Sequence, residues 1–240
     1  MKSLTNYIYE NNFHKSEIKS DKSSFISLSE KLVINKDFKE AVVKPKNIDE
    51  LKEFINERIE MMIDSNTDVL DVAGIEFSLF SNREKPLYML FNDSLENVKK
   101  DNIIVDVSNW DLCKLSRIDC LFYDCKSIKK IVGLETWDVS NIRDFAGMFS
   151  QCNNLEEVDL SNWKLTNAIT TLAMFYECFS LKTIKGLDTW TLNNNKIDMD
   201  NMFIGCINLK NIGNIDYWSP GSHNKMFDSC NKQIIPKWYN

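Results

Sequence analysis

The 240-residue sequence contains few residues that interrupt regular structure, with only seven glycines and four prolines. This composition excludes a collagen-like or low-complexity chain. Histidine is also scarce: His14 and His223 are the only two, and neither lies in a Ser-His-Asp or Cys-His context typical of a nucleophilic centre. No glycine-rich phosphate-binding loop is present. We therefore predict a protein that is not an enzyme, with no catalytic residues and no cofactor.

Long hydrophobic runs are missing as well. The apolar stretches are shorter than the roughly 18 residues that a membrane-spanning helix needs, and residues 1–21 lack the apolar centre of a signal peptide. We therefore expect no membrane partner. The predicted location is cytoplasmic or virion-associated, with surface display only by a non-standard route.

Positive charge is in deficit, with 29 Lys and Arg against 35 Asp and Glu and a net charge of −6. Nucleic-acid binding normally needs a basic surface that displaces counterions, so we expect no nucleic-acid partner. The seven cysteines include no C-x-x-C pair, which argues against a metal site. An odd number of cysteines without an export signal predicts reduced thiols.

What the sequence does contain is an internal repeat. A Phe-x-x-Cys element recurs five times, with its cysteines 27, 26, 28 and 24 residues apart. A tryptophan column has nearly the same period, with spacings of 27, 26, 27 and 28 residues. Its members are Trp110, Trp137, Trp163, Trp190 and Trp218. We call the segment from one tryptophan to the next a unit.

Each unit contains two predicted elements. The spacing i, i+3, i+4 and i+7 of apolar residues places them on one face of a short helix; one such set is Phe145, Met148, Phe149 and Cys152. The following run, residues 156–163, alternates apolar and polar side chains and predicts a strand. In three units an extra glycine before the tryptophan indicates a bulge or a tight bend.

One helix and one strand cannot bury their apolar faces alone, whereas stacked copies can. We therefore predict that equivalent residues form continuous core columns. The predicted column residues are Phe122, Cys125, Trp137, Phe149, Cys152, Trp163, Phe175, Cys178, Trp190, Phe203, Cys206 and Trp218. Asparagines four residues after successive tryptophans (Asn141, Asn167 and Asn194) are predicted to bind backbone groups that the turns leave unpaired.

The unit DFAGMFSQCNNLEEVDLSNWKLTN resembles the repeat of the BspA-like leucine-rich repeat family of bacterial surface proteins, of the type DMSYMFYGCSSLTSLDLSNWDTSNVT. The resemblance covers residues 69–240. It implies an α/β repeat fold, a right-handed leucine-rich-repeat-like solenoid with one short strand and one short helical segment per 26–28-residue turn. Members of this family are usually interaction modules.

The array has two predicted boundaries. Residues 69–110 form a degenerate first unit, and five units follow to residue 240. Residues 47–68 predict an amphipathic helix that caps the array, with a capping box at Asn47 and Glu50. Its stripe is Leu51, Phe54, Ile55, Ile59, Met62 and Ile63. The alternative is a membrane-surface helix, although its polar face is acidic.

Residues 1–46 differ in composition, being rich in Ser, Lys and Asn. They are interpreted either as a polar tail or as an adaptor that docks onto a larger assembly. A short string within them, SEKLVINKDFK, resembles leader segments of tailed gut bacteriophage proteins.

A candidate partner-binding strip lies next to the tryptophans. We expect these residues to form a polar, mildly acidic row on the exposed strand face, which is either a solvated surface or a contact for a protein or a glycan. The strip comprises Ser108, Asn109, Glu135, Thr136, Ser161, Asn162, Asp188, Thr189, Asp216 and Tyr217.

Two functions follow from this organisation. The first is a repeat scaffold that mediates protein–protein or protein–glycan interaction through its exposed strand face. The alternative is a structural or host-directed component of a bacteriophage particle, positioned by residues 1–46.

Overall fold

The structure, a computed structural model, describes residues 42–80, 87–192 and 196–239. The chain divides into two compact units, Met1–Val43 and Lys44–Asn240. Almost all of the fold described below belongs to the second. The predictions for residues 1–46, including the adaptor and the phage leader, fall outside the described residues except for the last five.

Helix α1 spans Ile48–Asp64 and begins at Asn47. The Asn47 side chain accepts hydrogen bonds from the backbone N–H groups of Asp49 and Glu50, both at 3.0 Å. Glu50 in turn accepts from the N–H of Lys46 at 3.0 Å. These bonds satisfy N–H groups that have no partner inside the helix, as the sequence predicted for this end.

The apolar stripe of α1 packs against the first strand and the second helix. Its buried members are Leu51, Phe54, Ile55, Ile59 and Met62. Ile63 does not belong to them, because its side chain is 52% exposed. Its inclusion in the stripe was wrong, since Ile63 lies one residue beyond Met62 and has rotated away from the core.

Five short strands form one parallel sheet in chain order. They are β1 (Val69–Asp71), β2 (Ile103–Asp106), β3 (Ile128–Val132), β4 (Glu157–Asp159) and β5 (Thr183–Lys185). Neighbouring strands are one unit apart in sequence, so the sheet runs along the array. The prediction of an α/β fold is confirmed at this level, with a parallel sheet and few helices.

The strands are shorter than predicted. β4 ends at Asp159, whereas the alternating pattern extends to Trp163. The chain turns there because the Asp159 side chain accepts a hydrogen bond from the backbone N–H of Ser161 at 3.1 Å. Ser108 is held by Asp106 in the same way after β2.

The predicted helix in each unit is wrong. Residues 145–152 form consecutive turns in which Met148, Ser150 and Cys152 donate to the carbonyl three residues earlier. Gly147 and Gln151 have φ of +61° and +62°, which an α-helix does not tolerate. Within the described residues 87–192 and 196–239, the only α-helix in a unit is α2, which spans Leu90–Leu95 in the degenerate unit.

Two aromatic columns form the centre of the core. Phenylalanine rings stack with centroids 4.7 to 5.8 Å apart, in the order Phe91, Phe122, Phe149, Phe175, Phe203 and Phe227. Indoles stack at 5.2 to 6.5 Å in the order Trp110, Trp137, Trp163, Trp190 and Trp218. All twelve residues predicted for the core columns are buried.

Asparagine side chains link the turns of successive units. Asn141 donates through Nδ2 to the carbonyl of Cys113 at 3.3 Å, and Asn167 donates to that of Ser140 at 2.7 Å. Both bonds reach back to the preceding unit, as predicted for this column. Asn194, its third member, lies outside the described residues.

The last unit ends with an aromatic pair. Trp238 donates through Nε1 to the carbonyl of Ile215 at 2.8 Å, and Tyr239 packs its ring edge against Phe227. Trp238 therefore takes the hydrogen-bonding role of a further member of the tryptophan column. Sequence spacing missed it because it follows Trp218 by only 20 residues.

Candidate interaction surface

The strip residues do not lie on the strands, which corrects their predicted position. Four pairs follow the strand of their unit, and the last pair follows the isolated bridge at Asn211; each pair lies in a turn or in a one-turn 3₁₀ helix. Two of these 3₁₀ helices are Leu134–Thr136 and Leu187–Thr189. The strip therefore forms a row of turns beside the sheet.

Two glycines set the direction of these turns. Gly133 and Gly186 have φ of +92° and +89° and immediately precede the 3₁₀ helices. A Cβ atom on Gly186 would lie 2.3 Å from Cα of Ser161, and one on Gly133 would lie 2.4 Å from the backbone nitrogen of Ser108. Only glycine allows the two backbones to approach so closely, as the inserted glycine predicted for a tight bend.

The second residue of each strip pair braces neighbouring units. Three of these side chains donate hydrogen bonds to carbonyls of the preceding unit: Asn162 to Glu135 at 2.8 Å, Thr189 to Ser161 at 3.1 Å and Tyr217 to Trp190 at 3.2 Å. In the pair before them, Thr136 accepts from the backbone N–H of Asn109 at 2.8 Å. These polar groups hold the array together and are less available to a partner.

The carboxylates of the strip remain directed to solvent. Asp188 and Asp216 are exposed and lie one unit apart, whereas Glu135 is partly exposed and lies two units before Asp188. Asp216 also accepts from the backbone N–H of Lys237 at 3.1 Å. The Tyr217 ring is 56% exposed beside them. An acidic row ending in an aromatic ring is the part of the strip that can meet a partner.

The exposed face of the sheet carries charges of alternating sign. Glu156 lies between Lys129 and Lys182, with N–O distances of 3.7 and 3.0 Å. The hydrogen bond from Lys182 is the main reason that the pKa of Glu156 is lowered. Lys130 forms an ion pair with Glu157 in the next column. Because these charges face each other, the sheet face is zwitterionic.

A shallow depression joins the sheet face to the strip. It has a volume of about 170 Å³. Its lining includes Lys130, Glu157 and Lys185 from the sheet and Glu135 from the strip. Sheet face and strip are therefore one continuous polar surface, which we call the polar face.

The column cysteines are buried and bonded to the backbone. The thiols of Cys152, Cys178 and Cys206 donate to phenylalanine carbonyls of the preceding unit at 2.9 to 3.0 Å. Burial raises the pKa of Cys152 to about 12. Such thiols stay protonated at neutral pH and are poor nucleophiles and metal ligands.

His223 lies in the last unit, where it contacts the rings of Trp238 and Tyr239 at 5.4 and 5.8 Å. Its Nδ1 atom is buried and has no hydrogen-bond partner among the described residues. Within residues 42–80, 87–192 and 196–239, no cluster of three or more His, Cys, Asp or Glu side chains is arranged to hold a metal ion.

Sequence reasoning missed the polar role of the tryptophans. The Nε1 atoms of Trp110, Trp137 and Trp163 donate to carbonyls of the preceding unit at 2.7 to 2.8 Å. Those of Trp190 and Trp218 are buried and have no acceptor in the part of the chain that the structure describes. Spacing marks all five residues as equivalent, and no signal in the sequence separates the two groups.

Comparison with known families decides the affiliation. A family model described as "Mycoplasma protein of unknown function, DUF285" matches residues 88–218, which is more than half of the chain. The chain belongs to this family. DUF285 is associated with BspA-like repeat proteins, so the resemblance is confirmed at the level of that association. The DUF285 match begins just before α2 and ends at Trp218, and thus contains the stacked tryptophans.

The remaining comparisons give no relative. No curated protein and no solved structure matches the chain. In the part of the chain that the structure describes, the helices are too short or too polar to cross a lipid bilayer.

Proposed function

We propose that this DUF285 protein is a right-handed, leucine-rich-repeat-like solenoid of the BspA-like type and acts as a non-enzymatic scaffold. In this proposal its polar face binds a protein or a glycan. The observation that carries the proposal is that consecutive units present equivalent polar side chains on one continuous exposed surface, while their apolar columns are fully used in stacking. Repeat arrays use such extended surfaces for recognition.

The charges of the polar face favour this class of partner. Lys129, Glu156 and Lys182 neutralise one another along the array, which gives no continuous field for a polyanion. The solvent-directed carboxylates Glu135 and Asp188 then supply hydrogen-bond acceptors for hydroxyl, amide or ammonium groups. Hydroxyl donors are typical of glycans, and amide and ammonium donors of proteins.

A comparative binding experiment tests the proposal. The immobilised protein is probed with a glycan array and a library of purified surface proteins, beside the double variant Glu135→Ala/Asp188→Ala. We expect a ligand whose binding to the double variant falls by about tenfold or more, the loss of two charge-assisted hydrogen bonds.

The matched control is Glu96→Ala/Asp101→Ala, which removes two exposed carboxylates away from the polar face. It should bind the ligand like the wild type. A ligand that binds all three proteins equally, or substrate turnover by the wild type in the presence of that ligand, would contradict the proposal.

A further inference from the structure

The consecutive turns of neighbouring units are joined by backbone hydrogen bonds in a regular pattern. Every second N–H group of a unit donates to a carbonyl of the next unit. In the unit of Phe149, the donor–acceptor pairs are Phe145–Thr170, Gly147–Leu172, Phe149–Met174 and Gln151–Tyr176. The same four bonds recur at four successive interfaces between residues 118 and 228, with lengths of 2.7 to 3.0 Å.

The last unit has the same donors but no acceptors. The equivalent N–H groups belong to His223, Lys225, Phe227 and Ser229, and none of them has a hydrogen-bond acceptor among residues 42–80, 87–192 and 196–239. We call this row the donor edge. Unpaired N–H groups along an edge are a template for another chain.

The donor edge is already in its binding conformation. Lys225 and Ser229 have φ of +53° and +60°. Their equivalents in a bonded unit, Ala173 and Glu177, have nearly the same φ, +53° and +56°. Met226 and Asp228 donate within the turn to the carbonyls three residues earlier, as in the preceding units. Binding at this edge therefore requires no rearrangement of the backbone.

The aromatic pair at the end of the structure leaves the donor edge open. Trp238 and Tyr239 contact the side chains of His223 and Phe227. Their backbone does not supply carbonyls to the row, and Lys225 and Ser229 remain exposed. The aromatic pair therefore covers side chains of the last unit but leaves its row of backbone N–H groups uncovered.

The geometry also decides which occupant fits. A second copy offering the same edge would place N–H groups against N–H groups, which repel. At the other end of the described array, the short helix α2 replaces the turns, so a second copy does not offer there the carbonyls spaced two residues apart that the row requires. Only acceptors spaced two residues apart complement the row, and the array itself shows at four interfaces that polypeptide carbonyls fit.

We propose that the donor edge binds a segment of another polypeptide through its backbone carbonyls, added parallel to residues 222–229. Such strand addition draws its affinity from main-chain hydrogen bonds and tolerates many sequences. This surface is separate from the polar face, so the proposal does not depend on the function proposed above.

The test uses the full-length chain and a peptide that presents the correct carbonyls. The probe is the acetylated, amidated peptide DFAGMFSQ, which has the sequence of residues 144–151, and the readout is amide hydrogen exchange resolved by residue. At ~1 mM peptide, we expect exchange at the four donor-edge amides to slow by about tenfold, with strand amides unchanged.

Two controls make the result specific. The peptide with Gly147→Pro cannot adopt the turn and should give no protection. The variant Lys225→Glu places negative charge beside the incoming carbonyls and should weaken binding by roughly threefold, whereas Lys232→Glu, the same exchange at an exposed site beyond the donor edge, should not.

Four outcomes would overturn the proposal. They are no protection at ~1 mM peptide, equal protection by the proline peptide, the same protection by inorganic sulfate alone, and protection that grows with protein concentration without peptide. Sulfate protection would indicate an anion site, and concentration dependence would indicate self-association. Binding of a ligand to the polar face would be unaffected in every case.

Discussion

Chemically equivalent residues of this array have unequal surroundings, and the tryptophans show it best. Trp163 stacks between Trp137 and Trp190 and donates through Nε1 to the carbonyl of Leu134 at 2.8 Å. Trp190 stacks between Trp163 and Trp218, but its Nε1 is buried and finds no acceptor within residues 42–80, 87–192 and 196–239. A buried donor without a partner lowers stability, whereas a bonded one does not.

We therefore predict that Trp163→Phe lowers the free energy of unfolding by about 1 to 2 kcal/mol more than Trp190→Phe. Both changes remove the same volume and the same stacking surface, so each variant is the control for the other. Chemical denaturation measures the difference. An equal loss, or a larger loss at Trp190, would contradict the account of the indole bonds.

The buried thiols predict a dependence of stability on pH. Burial raises the pKa of Cys152 from its usual value near 9 to about 12. The folded state therefore holds the proton more tightly than the unfolded state. The resulting contribution to stability is complete below pH 9 and is lost as the pH rises towards 12.

Raising the pH from 9 to 11 should lower the free energy of unfolding of Cys152→Ala by about 2 kcal/mol less than it lowers that of the wild type. Urea unfolding at each pH measures both values. Cys152→Ser is the control, because its hydroxyl can still donate to the Phe122 carbonyl but does not titrate; it should show the same flatter pH profile. Parallel profiles for all three proteins would mean that this thiol ionises freely in the folded protein.

At the scale of single elements, the sequence predicted which side chains share a face but not the backbone that presents them. The spacing of Phe145, Met148, Phe149 and Cys152 is that of a helix, and all four are buried together. Consecutive turns produce the same sharing of a face, so periodicity does not distinguish the two. The neighbouring unit determines that the backbone forms turns, because its carbonyls accept hydrogen bonds from every second N–H group.

The same limit applies to the candidate strip. Alternation up to Trp163 suggested a strand, but the carboxylate of Asp159 binds the N–H of Ser161 and ends the strand first. Asp followed two residues later by Ser is a signal for such a turn, and it outweighs alternation here. The residues of the strip could therefore be identified in the sequence from their constant spacing to the tryptophans. Their position beside the sheet could be seen only in the structure.

Two glycines of the turns should respond differently to alanine. Gly186 has φ of +89° and touches the backbone of Ser161, so Gly186→Ala should cost about 3 kcal/mol or more. Gly147 has φ of +61°, and its equivalent Ala173 adopts +53°. Gly147→Ala should therefore change stability by about 1 kcal/mol or less.

Thermal and chemical unfolding of both variants checks this contrast. Similar losses at the two positions would mean that the positive φ alone determines how much stability a glycine-to-alanine substitution removes. A small loss at Gly186 would mean that the backbone of Ser161 can move away, so that the bend is adjustable.

At the scale of the whole molecule, the array was predictable because the repeats are in register, and helix α1 was predictable from its own apolar stripe and capping residues. The C-terminal end was not predictable, because its aromatic residues break the register. The Phe column extends from Phe91 to Phe227, and each internal ring contacts a ring of the preceding and of the following unit. At the last position, Tyr239 takes the place of a following phenylalanine. Its edge-on packing could not be deduced from the repeat.

A nearest-neighbour stack predicts that the position of a defect matters. Phe149→Ala removes a ring between Phe122 and Phe175 and should lower the free energy of unfolding by ~3–5 kcal/mol. Phe227→Ala, at the end, should mainly speed amide exchange in residues 221–230 and leave the exchange of the central units unchanged.

Chemical denaturation and residue-resolved hydrogen exchange measure the two effects. Phe179→Ala, which removes a ring that is 40% exposed, serves as the control and should cost less than ~1 kcal/mol. A loss below ~1 kcal/mol for Phe149→Ala would mean that the column does not carry the stability of the array.

The rule of the turn bonds has an electrical consequence. In the peptide group before Phe149, the carbonyl of Met148 accepts from Phe122 and the N–H of Phe149 donates to Met174, so its dipole lies along the array. Four such columns of peptides add head to tail, as they do in an α-helix. The molecule therefore carries partial positive charge at the end of its array, where four N–H groups have no acceptor among the described residues. The C-terminal end of this stack resembles the N-terminus of a helix, built from segments that are far apart in sequence.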